Sequence, residues 1–166
     1  MKIIALLLIL ALASSLIGEE KLKPIAPYID EILKLDASKV DFSQLGYVAT
    51  RSAVLFTVCA AHLETYQGEL KKSTEGLRAK LLERSLKLLQ LANIINLRVD
   101  KMDAKNIDAR NMAILEAYKK LIAESKSLNN TIFPEFISAE LDKMNEVYPL
   151  LEQVHRGIFE NSSPSH

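Results

Sequence analysis

Two pairs of residues in this chain have a spacing that metal sites use. Glu152 and His155 stand three apart, and so do Cys59 and His62. On a helix that separation puts both side chains on one face. Ferritin-like bundles build a di-iron site from two Glu-x-x-His pairs and two further glutamates; a single such pair is present here. Cys59 and His62 are residue types that bind zinc, so a metal- or cofactor-binding bundle, possibly redox-active, rests on these four residues. Haem ligation by His155 and Met144 is a weaker variant, because the two lie about three turns apart. The sequence has no glycine-rich phosphate loop and no Cys-x-x-Cys-His attachment. Neither a serine nor the cysteine acquires a base in the helical register, so no catalytic residue is assigned and a non-enzyme is favoured. No cofactor is implied.

A second set of polar residues turns inward by helical phase. Asp41 to Gly68 is the most apolar stretch outside the N-terminus. It begins on a good N-cap with Gln44 three residues on, and it ends on a glycine suited to a left-handed cap. At about 100° per residue, Arg51 and His62 fall on the apolar stripe with Gln44, Val48, Leu55, Val58, Cys59 and Tyr66. The opposite face, Gly46, Thr50, Ala53, Thr57, Ala60 and Glu64, is small or polar. A buried arginine needs a carboxylate. If this helix meets the last one antiparallel near Val54 and Pro149, Arg51 comes level with Glu152, and Tyr118 enters the same layer. The expectation is a buried Arg51–Glu152 pair that fixes helix register. Its functional alternative is a polar pocket of Arg51, Asn111, Tyr118, Glu152 and His155 that holds a small anion or polar ligand. The same register separates His62 from His155 by about 20 Å, too far for one metal.

The elements that position these residues read in order along the chain. Lys2, the apolar run Ile3–Leu12 and the small residues around Ala13 and Ser15 have the layout of a secretory signal peptide over 1–18, cut between 13 and 18. Export to the periplasm or outside the cell follows, with a single domain over 19–160 and a disordered tail over 161–166. Arg51 and several hydroxyls argue against a membrane span at Leu45–Leu63, and none is expected once the signal is removed. Twenty-one basic and twenty-one acidic residues leave no excess charge to attract nucleic acid. A lone cysteine offers no internal disulfide, and Cys59 is most simply a small buried hydrophobe. Asn129 and Asn161 begin N-glycosylation sequons.

A short helix over about 24–36, with Pro24 and Pro27 in its first turn, precedes the central one. A polar linker, Glu69 to Ser73, then leads to a helix capped by Thr74 and running to Met102. That helix has a second apolar stripe, Leu82, Leu86 and Leu89, which predicts neighbours on two sides. Asn106 caps the next helix, over 107–128, and Ser138 caps the last, over 139–160, with Pro149 expected to bend or open it. The pattern predicts an all-α fold: an up-down-up-down four-helix bundle with an additional short N-terminal helix. The function expected of it is binding, to a partner protein, to itself or to a small polar ligand, with its oligomeric state open.

Overall fold

The computed structural model describes residues 22–35, 39–125 and 132–159, the side chain of residue 125 excepted. The expected signal peptide, the Asn129 and Asn161 sequons and the expected disordered tail lie outside the described residues. All regular structure within them is helical: α1 (Ala26–Lys34), α2 (Phe42–Glu64), α3 (Gly68–Arg98), α4 (Ala104–Ser125) and α5 (Glu135–Phe159). None of these helices is long and apolar enough to cross a membrane.

Helix ends follow local chemistry, with some departures from expectation. Asp41 caps α2, accepting from Ser43 N at 2.9 Å. Gln44 does not return to it; its amide reaches Glu31 on α1 at 2.9 Å. Gly68 is left-handed, φ 62°, but it does not cap α2, which ends at Glu64 with Thr65 in a right-handed conformation; α3 instead starts on Gly68 without a linker. Glu69 to Ser73 are good helix formers, and Lys71 and Arg78 tie the new helix back to Glu64. Thr74 therefore lies within the helix, its hydroxyl donating to Leu70 O at 2.8 Å. Helix α3 stops at Arg98, where Met102 N bonds to Asn96 O and Lys101 turns left-handed, φ 55°. The cap of α4 is Asp103, not Asn106: Asp103 Oδ1 accepts from Asn106 N at 2.7 Å. Helix α5 begins at Glu135, directly after Pro134, and runs through Pro149 without a break.

Helix α2 is the hub of the bundle. It packs against each of the other four helices, and its buried residues point in every direction. Helix α3 runs antiparallel beside it, pairing Thr57 with Ser85 and Thr50 with Asn96. Helix α5 is antiparallel too, with Arg51 beside Glu140 and His62 beside Ile132. The small, polar face of α2 is not its solvent side but its closest seam. Ser85 Oγ donates to Ala53 O at 2.9 Å, and a Cβ on Gly46 would fall 2.6 Å from Ile95 Cγ2. Small side chains allow the two backbones to approach, and the hydroxyls and Asn96 bond across the gap. The second stripe of α3 finds no such neighbour among the described residues: Leu86 is 65 % exposed and Leu82 38 %.

A saturated polar centre and an open one

Arg51 is fully buried, and every nitrogen of its guanidinium has an acceptor. Nε and Nη2 donate to Tyr118 Oη at 3.1 and 2.8 Å. Nη1 donates to Lys23 O at 2.6 Å and to Tyr47 Oη at 3.4 Å. Nη2 also meets Glu140 Oε2 at 2.5 Å. The Tyr118 hydroxyl donates to the same carboxylate oxygen, and Glu140 Oε1 accepts from Ile25 N at 2.7 Å. Charge, phenol and backbone thus close on one another, and the two backbone bonds fasten the start of α1 to the core. Burial acts to lower the Arg51 pKa, but Tyr118 and Glu140 reverse the effect and hold it above the ordinary value. Burial likewise pushes the Tyr118 phenol up; Arg51 pulls it back and Glu140 adds to the rise. Both groups keep their protons.

The partner of Arg51 is therefore Glu140, not Glu152. The register of α5 on α2 is shifted by about three turns, roughly 18 Å. The signal for Glu140 was present in the sequence. Ile137, Glu140, Met144, Val147 and Leu151 follow the i, i+3, i+4, i+7 pattern of one buried stripe. Glu152 lies one position out of that phase. It faces α3, bound to Lys87 at 3.0 Å and to Arg156 at 3.1 Å, with the Tyr148 hydroxyl at 3.4 Å. The hydrogen bond from Lys87 comes first among the causes that lower its pKa.

Of the expected pocket residues, the structure brings only Arg51 and Tyr118 into contact. His155 is on the far part of α5, bonded to Gln90 Oε1 at 3.0 Å and stacked on Phe159. His62 is near the opposite end of that helix, with Tyr66 Oη and Ile132 O each at 3.1 Å from Nε2. The two histidines thus sit near different ends of α5, in a register other than the one expected. Cys59 is fully buried, and burial pushes its thiol up to about 12. It is an inert packing residue at neutral pH. Among the described residues no three His, Cys, Asp or Glu side chains cluster closely enough to hold a metal ion.

Asn111 belongs to a different neighbourhood. Its half-buried side chain leaves Oδ1 buried without a partner, as does fully buried Asn96; the adjacent Arg110 has a buried Nε without an acceptor. Arg110 Nη2 donates to Thr50 Oγ1 at 3.3 Å. That hydroxyl already receives Asn96 Nδ2 at 3.4 Å and gives its own proton to Gly46 O at 2.8 Å. Sequence reasoning placed Arg51 inside but passed over Arg110, since a single arginine beside the apolar phase of α4 reads as solvated. A separate cleft of about 110 Å³ between α3 and α5 is lined by Leu77, Leu81, Arg84, Phe133 and Asn145 among others. It is smaller than the 300–1,000 Å³ typical of ligand pockets.

Comparison of the chain with protein-family models, with curated proteins and with solved structures gave no significant match.

Proposed function

We propose that this protein is an exported, non-catalytic helical module that works by binding, and that the occupant of its outer α3 face is α3 of a second copy. The observation that carries the proposal is the exposure of Leu82, Leu86 and Leu97 along one side of α3, with Leu89 partly buried beside them. Export rests on the N-terminal sequence pattern alone. Scattered surface leucines need no explanation, but these have a spacing. Ala79, Leu82, Leu86, Leu89 and Asn93 occupy successive a and d positions of a heptad pattern. An asparagine at an a position favours a defined register between like helices. In a parallel pair, Arg78 at g, which binds Glu64 and Glu75 within its own chain, would come level with the partner copy's Glu83 at e, adding a charge-complementary contact across the pair. The buried polar centre contributes differently: its donors are occupied internally, so it supports the module rather than serving as its binding site.

Sedimentation equilibrium on the protein without residues 1–18 tests this. The wild type is expected to dimerise at micromolar concentration, and Leu86→Glu to weaken that association by at least about tenfold while leaving the helical circular dichroism unchanged. A wild type that stays monomeric up to about millimolar concentration, or a Leu86→Glu variant that associates equally well, would sink the proposal.

A further inference from the structure

The cleft of about 110 Å³ between α3 and α5 sorts its chemistry by depth. Its floor is apolar: Leu81 and Phe133 are buried, and Leu141 packs partly buried against the core. Its rim is Lys80 and Arg84 from α3 and Asn145 from α5. Lys80 and Asn145 are exposed and Arg84 is half-buried, so the cleft opens to solvent between them. Both charges in the lining are positive. The glutamates on either side along α3, Glu75 and Glu83, pair with Arg78 and Lys87 instead. Asp142, next to Leu141 in the chain, is exposed and takes no part in the lining.

The rim is held in place from both helices. Arg84 Nη1 donates to Asn145 Oδ1 at 2.5 Å, a bond that spans from α3 to α5. The guanidinium lies 4.2 Å over the Tyr148 ring, and stacking on an aromatic face fixes the plane of an arginine fork. That hydrogen bond occupies the one side-chain acceptor of the rim. What the rim still offers is donors: Asn145 Nδ2, the Lys80 ammonium and the other N–H groups of Arg84. A doubly cationic rim that only donates suits an anion, and a carboxylate matches the arginine fork. The floor sets the other end of the ligand. An apolar cavity of about 150 Å³ holds a benzene ring, so one of about 110 Å³ has room for a branched aliphatic group of about four carbons.

We infer that this cleft binds a short branched aliphatic carboxylate, its hydrocarbon end on Leu81, Phe133 and Leu141 and its carboxylate on Arg84, Lys80 and Asn145. The site stands apart from the pairing of α3, since Arg84 and Leu86 point about 160° apart round that helix. The test is a ¹H–¹⁵N NMR titration with isovalerate, at constant ionic strength, of the protein without residues 1–18. Saturable shifts are expected at Arg84, at Phe133 and at the side-chain amide of Asn145, with a dissociation constant of about millimolar or tighter. Acetate keeps the charge without the branched group, and isoamyl alcohol keeps the group without the charge. Each is expected to bind at least about tenfold more weakly than isovalerate. Arg84→Met is expected to weaken isovalerate binding by a similar factor. Absence of saturable shifts at about 50 mM isovalerate overturns the inference. So does equal binding of acetate or of isoamyl alcohol. Unchanged affinity in Arg84→Met overturns it too, or in Lys80→Met should the first variant not fold.

Discussion

Two arginines approach the same central helix, and their surroundings differ in one respect. Arg51 is more deeply buried, yet each of its nitrogens has an acceptor and its charge is met by Glu140. Arg110 is only partly buried, yet it meets a hydroxyl and leaves Nε unpaired. Burial alone therefore does not decide whether a cation is fully paired. What distinguishes the two is whether folding itself completes the hydrogen-bond shell. A completed shell fixes the register of helices, and an incomplete one leaves a need that a ligand or water must fill.

The largest expected effect comes from breaking the completed shell. Glu140→Ala strands a buried guanidinium and removes the tie to Ile25 N, so urea unfolding should show a loss of about 3–5 kcal/mol. The control is Glu152→Ala, which removes a partly exposed network on α5 and should cost at most about 1 kcal/mol. Equal losses in the two variants would mean that the Arg51–Glu140 pair does not hold the bundle.

Tyr118→Phe is gentler, because it keeps the ring and removes only the hydroxyl that bridges Arg51 to Glu140. Leaving Arg51 Nε without an acceptor should cost about 1–3 kcal/mol in the same assay. A loss below about 0.5 kcal/mol would show that water takes the place of the phenol and that the centre is wetter than the structure implies.

The smallest effect is expected at the other arginine. Arg110→Met should change stability by no more than about 1 kcal/mol, in either direction, since it removes an unpaired donor together with its charge. A loss as large as that of Glu140→Ala would place Arg110 in the structural class with Arg51.

Much of the fold was legible because helix phase and capping act locally. Asp41 and the apolar stripe of α2 announced the central helix, and the inward phase of Arg51 announced a buried charge. The errors have local causes as well. Glu69 to Ser73 looked like a linker because it is polar, but polarity does not stop a helix whose residues favour one. Glu152 was preferred to Glu140 because the register was set from Pro149, a position that proved to interrupt nothing. The stripe of Ile137, Met144 and Leu151 carried better information, and Glu140 stands in it.

The sequence by itself determined that the fold is all-α and that Arg51 must go inside with a counter-charge. Those are consequences of periodicity, capping and the cost of burying an ion, each of which acts over a few residues. Only the tertiary structure decided which carboxylate answers Arg51, that the small face of α2 is its tightest seam, and that Leu82 and Leu86 of α3 stay exposed. These depend on how far one helix slides along another. Side-chain volume across the whole interface sets that distance, as at Gly46 against Ile95.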